Sequence, residues 1–361
     1  MPLNHYVTLG RSGLRVSPLC LGAMTFGEEW GCGADVPTST RIIDAYVERG
    51  GNFIDTANVY TQGHSEKILG DHVGRHPHKR DRLVIATKFM GAMHQGDPNS
   101  GGAGRKAIMA ACEESLRRLQ TDYIDLYWLH FWDRHTPIEE TLRAFDDLVT
   151  AGKIRYVGFS DVPAWKCAEA QTIAAFRNFA PIIALQIEYS LIERTVENEL
   201  MPMARALGMG VTPWSPLKGG ILTGKFTRNS APKKGEARND ETSQHLNERT
   251  FAIIDALTTI SKETGASIPQ VAIAWVMARE GVASTIIGAR NMKQLEDNLA
   301  AADVGLSPQA IAALDEASHV PPIFPQSFLT FAARATNAGT TINGEQGEVW
   351  PLAPKDDKER W

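Results

Sequence analysis

Gly50-Gly51-Asn52-Phe53-Ile54-Asp55-Thr56-Ala57-Asn58-Val59-Tyr60 decides how the rest of this chain is read. Two glycines end a helical pattern, a short apolar run follows as a buried strand, and the carboxylate of Asp55 stands where that strand stops. Tyr60 follows on the adjoining loop, so one strand end offers an acid and a phenol to the same cleft. Two later predicted strands end at Lys88 and His130. If these strands are neighbours in one parallel sheet, Asp55, Tyr60, Lys88 and His130 converge on one catalytic site.

The same strand-helix unit recurs on both sides of this stretch. Leu19 to Gly22 reads as a buried strand, followed by a glycine-rich loop and a helix capped at Thr38 with Ile42, Ile43, Tyr46 and Val47 on its apolar face. Asn52 to Asp55 leads to a helix from about Ser65, Leu83 to Lys88 to Arg105 through Leu119, and Ile124 to His130 to Pro137 through Val149. Lys153 to Ser160 precedes a helix from near Pro163 through Phe176, and Ile182 to Glu188 precedes one from about Val196 to Leu207. Gly210 to Ser215 is the next strand, and Ser284 to Gly288 precedes a helix starting near Asn291. Upstream, Tyr6 to Leu9 and Leu14 to Val16 flank the turn Gly10-Arg11-Ser12-Gly13 and predict an opening hairpin. About eight units without a composition break predict a single (β/α)8 TIM barrel over residues 1–320, with a doubly wound open sheet as the alternative.

Three stretches interrupt the rhythm: Met90 to Gly104, Thr227 to Arg249, and Pro321 to Trp361. Long loops after barrel strands lie on the face that carries chemistry, so the first two are expected to be lids. The C-terminal tail, 321–361, keeps Phe324, Phe328, Phe331 and Trp350 and is expected to cover the pocket before its charged end frays.

The chain has 361 residues, 43% of them hydrophobic, which is ample for a core of this size. A net charge of -5 with interspersed signs excludes the basic surface that nucleic acid or an anionic membrane needs. Met1-Pro2-Leu3-Asn4-His5-Tyr6 lacks the blocks of a signal peptide, and no apolar run spans a bilayer. A soluble cytoplasmic protein is expected, with Cys20, Cys32, Cys112 and Cys167 as reduced thiols. His64, His72, His76 and His78 lie close in sequence but lack supporting carboxylates or cysteines at ligand spacing, so no metal is expected.

The four converging residues make chemical sense together. A phenol has an ordinary pKa of about 10, so Tyr60 exchanges protons near neutrality only beside a cation, which Lys88 supplies. A buried lysine stays charged only if a carboxylate holds it, and Asp55 is available. His130 offers a second donor to a substrate oxygen. Singly, an Asp, Lys or His at a strand end is more often a satisfied structural group; four mutually useful ones at strand ends favour catalysis.

Gly51-Asn52-Phe53-Ile54-Asp55-Thr56-Ala57 with Tyr60 and Ser65-Glu66, then Thr87-Lys88 and Asp125-Leu126-Tyr127-Trp128-Leu129-His130, resembles the aldo-keto reductase family, in its bacterial-type branch related to channel beta subunits. Gly152-Lys153-Ile154-Arg155 through Gly158-Phe159-Ser160, Gln186 to Ser190, and Ile287-Gly288-Ala289-Arg290 extend the likeness over roughly the first three hundred residues. The resemblance implies a barrel that binds NADPH in extended form and reduces carbonyls by direct hydride transfer. It makes Tyr60 the general acid, tuned by Lys88 and Asp55, with His130 orienting the carbonyl.

By the same resemblance Ser160 and Gln186 bond the nicotinamide carboxamide, Trp214 lies beside the ring, and Ser215, Leu217, Gly219 and Lys225 cover the pyrophosphate. Asp161 replaces the asparagine usual after that serine; it accepts hydrogen bonds but, ionised, donates none. Gly288 opens the adenosine site, where Arg290, Gln294 and Asn298 are spaced to share one helix face near its N-terminus. Arg290 suits a 2′-phosphate, which favours NADP over NAD.

Two rival motifs are weaker. Gly219 to Lys225 has the spacing of a phosphate-binding loop, but Phe226 stands where a Ser or Thr must hold magnesium. Gly102-Ala103-Gly104-Arg105-Lys106-Ala107 imitates a dinucleotide fingerprint yet follows a long loop instead of a strand, so a lid hinge is the better reading. Against the reductase stand an NADPH-binding regulatory subunit with little turnover and a Schiff-base aldolase using Lys88. Trp30, Phe89, Phe131 and Trp132 are expected to line an apolar pocket for a small-molecule carbonyl or alcohol.

Overall fold

A computed structural model describes residues 3–228 and 245–360, which fall into two units, 1–318 and 319–361. The first opens with β1 (Val7–Thr8) and β2 (Arg15–Val16), paired antiparallel. Gly10 in their turn has φ 60°, and a Cβ there would lie 2.2 Å from the carbonyl oxygen of Ile183, so only glycine fits.

Eight parallel strands follow: β3 (Leu19–Gly22), β4 (Phe53–Asp55), β5 (Val84–Phe89), β6 (Ile124–Leu129), β7 (Ile154–Ser160), β8 (Ile182–Glu188), β9 (Gly210–Trp214) and β10 (Thr285–Gly288). They pair in chain order, and β10 pairs with β3. A bridge between Val211 and Val282, with the Val211 N–H donating to Gly281 O at 2.9 Å, brings β9 to the start of β10 and completes the ring. The outer helices are α1 (Val36–Glu48), α2 (His64–Leu69), α3 (Pro77–Arg80), α4 (Arg105–Leu119), α5 (Ile138–Thr150), α6 (Ala164–Arg177), α7 (Leu200–Leu207), α8 (Glu248–Thr264), α9 (Ile268–Met277), α10 (Met292–Ala300) and α11 (Pro308–Ala317). This is the (β/α)8 barrel expected from the repeat.

Strand alternation divides the core in two. Phe53, Ala86, Trp128 and Ala184 fill the lumen, where Leu9 and Val16 of the hairpin join them and plug the N-terminal end. Ile54, Ile85, Tyr127, Phe159 and Leu185 face the helices. Complete burial of an aliphatic or aromatic side chain contributes about 1.5–3 kcal/mol before entropy is counted. A Cβ on Gly158 would stand 2.3 Å from the Trp128 ring, so this glycine leaves the indole room within the barrel.

Local differences from expectation have local causes. Helix α1 is capped by Asp35, whose carboxylate accepts from the Thr38 N–H at 2.8 Å, so it starts before Thr38. The helix expected from Val196 breaks into a 3₁₀ turn, Thr195–Glu197, and α7. Helices α8, α9 and α11 have no counterpart in the strand-helix count. In α9 the residues from Val271 to Val276 are all buried, which erases the amphipathic stripe that marks a surface helix. The loop expected over Thr227–Arg249 lies, for residues 229–244, outside the described residues.

The second unit contains α12 (Gln326–Thr336) and a hairpin of β11 (Thr341–Ile342) and β12 (Glu345–Gln346). Phe331 stacks between Phe328 and Trp350, with ring centroids 6.5 and 5.2 Å away.

Candidate active site

The alternation that fills the lumen also builds its C-terminal rim. Asp55 ends β4, Ser160 ends β7 and Trp214 ends β9; Lys88 lies one residue before the end of β5, Gln186 two before the end of β8, and His130 follows β6. Each is an even number of residues from a lumen side chain, Lys88 two beyond Ala86 and His130 two beyond Trp128. Phe89 has the opposite parity. Instead of lining a substrate pocket, it is fully buried against Tyr127 and Phe145 on the helix side, at centroid distances of 5.1 and 5.5 Å.

At the rim the Lys88 ammonium donates to Asp55 Oδ2, to the Thr56 carbonyl at 2.9 Å and to the Tyr60 hydroxyl at 3.2 Å. Lys88 is 0% exposed and Asp55 2%. The Gln186 amide donates to the other carboxylate oxygen, Asp55 Oδ1, at 3.0 Å, a bond the sequence reading did not anticipate. The Tyr60 ring stands edge-on between His130 at 5.8 Å and Trp30 at 6.1 Å. Asp55, Tyr60, Lys88 and His130 thus share one cluster.

The protonation states follow from burial and charge. Burial alone would strip the Lys88 proton, but Asp55 and Tyr60 outweigh it and raise the ammonium to about 12. Lys88 paired with Asp55 stays charged and is a poor nucleophile, which argues against the Schiff-base alternative. Desolvation pushes the Tyr60 phenol above its ordinary value, because the downward pull of Lys88 only partly offsets it and Asp55 opposes that pull. Lys88 thus pulls the phenol down, as expected of a neighbouring cation, but burial outweighs that pull. Desolvation, helped by Lys88, lowers His130 to about 3, so its imidazole is neutral. Among the described residues His130 Nδ1 is buried without a hydrogen-bond partner.

A cavity of ≈ 870 Å³ runs from this cluster along the rim. Asp55, Tyr60 and His130 line one end, then Ser160, Asp161, Gln186 and Trp214. Asp161 Oδ1 accepts from the Trp214 indole at 3.2 Å and Oδ2 from the Ser160 hydroxyl at 3.3 Å. Ser215, Leu217, Gly219 and Lys225 line the middle, where Gly219 and Gly220 turn with φ 63° and 93°. Gly288, Arg290, Gln294 and Asn298 line the far end.

There the side chains of Gln294 and Asn298 shape the strand-helix turn, Gln294 accepting from the Arg290 N–H at 2.9 Å and Asn298 donating to Gly288 O at 2.9 Å. The Arg290 guanidinium is exposed and has no partner among the described residues, as an anion-binding cation requires. Ser267, Ile268 and Asp297 also line this end and were missed. Asp297 accepts from Ser267 at 2.8 Å and Gln270 at 2.7 Å at the start of α9, whose Ser267-x-x-Gln270 capping box was the legible signal.

The remaining expected residues lie outside the cavity lining. Phe131 stacks on His130 at 5.6 Å and Trp30 on Tyr60, both exposed beside the cluster. Trp132 turns away to pack edge-on against Trp165 of α6 at 5.5 Å. The Met90–Gly104 loop, expected to be a lid, closes on itself through a bond from the Gly102 N–H to Met90 O at 2.9 Å and contributes no lining residue. His64 and His72 are paired with Glu29 and Asp44. No helix among the described residues is long and apolar enough to cross a membrane.

Fold and rim together define a (β/α)8 barrel with a charged lysine, a phenol and an imidazole gathered at one end of a long cleft. The chain belongs to the Aldo/keto reductase family, whose sequence pattern matches residues 18–319. It is 38% identical to an uncharacterized oxidoreductase of Bacillus subtilis, over 86% of this chain and 95% of that one. It is 34% identical to the aryl-alcohol dehydrogenase [NADP(+)] of Phanerodontia chrysosporium, over 84% of this chain and 83% of that one. Its identity to a probable voltage-gated potassium channel subunit beta of Oryza sativa subsp. japonica is 37%, over 83% of this chain and 92% of that one.

Proposed function

We propose that this protein reduces an aldehyde or ketone to the alcohol, reversibly, using NADPH. The observation that carries the reading is the Tyr60 hydroxyl held 3.2 Å from the buried Lys88 ammonium at one end of the cavity. Ser160, Asp161 and Gln186 would hold the nicotinamide carboxamide, Trp214 the ring, Ser215, Leu217, Gly219 and Lys225 the pyrophosphate, and Gly288, Arg290, Gln294 and Asn298 the adenosine end. NADPH bound there supplies the hydride.

Tyr60 donates its phenolic proton to the oxygen of the forming alcohol, and the fixed charge of Lys88 stabilises the phenolate left behind. Neutral His130 offers an N–H to the same oxygen. Asp55 keeps Lys88 charged. Arg290, without a partner among the described residues, suits a 2′-phosphate, and the named cofactor of the aryl-alcohol dehydrogenase supports NADP. That relative and the exposed rings of Trp30 and Phe131 support an aromatic carbonyl or alcohol as substrate. Four unpaired cysteines support a reducing compartment, the cytoplasm.

The likeness to a channel subunit supports a second reading, an NADPH-binding regulatory protein with little turnover. Following NADPH absorbance with a panel of aldehydes and ketones separates the two. Consumption by the wild type that falls about 10²–10⁴-fold in Tyr60→Phe is the expected result. Tight NADPH binding without consumption would favour the regulatory reading, and absence of binding would overturn both.

A further inference from the structure

The charges around the Tyr60 end of the cavity almost all cancel. Asp55 is paired with Lys88, and Glu188 with Lys218, whose ammonium lies 2.7 Å from the Glu188 carboxylate. His130 is neutral, and Tyr60 holds its proton. What remains is Asp161, which lines the cavity at the end of β7 in a left-handed conformation, φ 49°. Among the described residues its side chain is anchored only by neutral donors, the Trp214 indole and the Ser160 hydroxyl. It opens onto the cavity, so a ligand seated there meets a carboxylate with no ion-pair partner among the described residues.

On the reading that this cavity takes NADP, the ligand has two charge states at this end. Loss of a hydride turns the neutral dihydronicotinamide ring into a cation, while the pyrophosphate and 2′-phosphate are the same in both forms. A fixed charge near the ring is one of the means by which a protein tunes such a cofactor. We infer that Asp161 makes the site selective for the redox form of the cofactor, binding the cationic oxidised form more tightly than the neutral reduced one. By linkage, that preference lowers the reduction potential of the bound couple and favours delivery of the hydride, while holding the oxidised product longer.

Protonation provides an independent handle. Asp161 is exposed to the cavity, yet desolvation by the wall beneath it raises its carboxyl to about 6, opposed by the bonds from Trp214 and Ser160 and by Lys88, and reinforced by Glu188. Selectivity is therefore present above that pH and fades below it. A positive ring favours the ionised carboxyl, so binding of the oxidised form near pH 6 releases a proton from Asp161. The 2′-phosphate also titrates near pH 6, but it is common to both forms and cancels in their ratio. His130, with its value near 3, does not interfere.

The test uses the whole protein and measures Kd for NADP+ and for NADPH, by quenching of tryptophan fluorescence, in wild type and Asp161→Asn at pH 8 and pH 5. Site-to-site couplings typically run about 5–150-fold, so the ratio Kd(NADPH)/Kd(NADP+) at pH 8 should fall about tenfold in the Asn variant. A tenfold change corresponds to about 30 mV in a two-electron potential. The wild-type ratio should fall by a similar factor between pH 8 and pH 5, and the variant ratio should not move. Titration calorimetry of the wild type at pH 6 in two buffers of different ionisation enthalpy should show proton release with NADP+ exceeding that with NADPH, whether or not the variant folds. Equal ratios in the two proteins, or equal proton release for the two forms, would overturn the inference while leaving the NADP assignment standing. Failure of the wild type to bind either form would remove the NADP assignment itself.

Discussion

Asp55→Asn replaces the carboxylate bonded to the fully buried Lys88 ammonium. Asparagine keeps an acceptor for the Gln186 amide but cancels the charge that holds the Lys88 proton. Lys88 stands near 12 against an ordinary 10.5 in the unfolded chain, a gap of about 2 kcal/mol of folding stability by proton linkage. The sign is that of a raised pKa. The contribution is fully present below about 10.5 and is lost as pH rises toward 12. If Lys88 keeps its proton in the variant, the orphaned buried charge costs more, about 3–5 kcal/mol. Urea unfolding at pH 7 should therefore show Asp55→Asn about 2–5 kcal/mol less stable than wild type.

The second half of the same cycle isolates the charge. Lys88→Met should destabilise the wild type, where it orphans Asp55, but should stabilise Asp55→Asn by removing the unpaired ammonium. Refutation would be an Asp55→Asn protein within about 0.5 kcal/mol of wild type, or a Lys88→Met change of equal size and sign in both backgrounds.

Gln186→Leu leaves Asp55 Oδ1 unpaired in a buried site, and calorimetric or urea unfolding should show a loss of about 1–3 kcal/mol; no loss would mean the bond is incidental. His130, depressed to about 3, takes up its proton only on unfolding across the range below its ordinary 6.5. Its contribution is complete above about 6.5 and is lost as pH falls, reaching about 2 kcal/mol by pH 5. The stability difference between pH 7 and pH 5 should shrink by that amount in His130→Leu, and an unchanged difference would show that the imidazole is protonated in the folded state.

How much of this was legible depends on which physical rule carries each residue. The barrel was readable because strand-helix units repeat and a parallel strand covered on both faces is apolar along its length, as in Ile182 to Leu185. Asp55, Lys88 and His130 stood out because a polar side chain ending an apolar run is rare. The side to which a residue points was harder. Phe89 adjoins Lys88 in sequence, yet the pleat sends one into the lumen and the other into the helix layer, and parity counted from Ala86 would have settled it. Pairings made across the rim left less trace. Nothing local to Gln186 announces Asp55, 131 residues earlier. Asp161 was visible as a departure from a familiar pattern, but its isolation is legible only once Glu188 is seen to be taken by Lys218.

The resting protonation of the cluster also sets a direction for the proposed reaction. Desolvation keeps the Tyr60 phenol above its ordinary pKa even though Lys88 lies 3.2 Å away, and Lys88 itself remains charged to about 12. At neutral pH the site is thus poised as phenol plus ammonium, ready to give a proton and unready to take one. Carbonyl reduction consumes a proton and finds its donor in place. Alcohol oxidation must release one and needs the phenolate, which is scarce until pH approaches or passes the ordinary phenol value of about 10. Steady-state kcat measured in both directions should therefore separate, reduction holding through neutrality and oxidation rising into the alkaline range until the protein unfolds. Because His130 is neutral throughout, neither profile should show an inflection from it between pH 5 and 8. An oxidation rate that is already maximal at pH 7 would mean that Lys88 overcomes the burial of Tyr60, and that the phenol is held below, not above, its ordinary pKa.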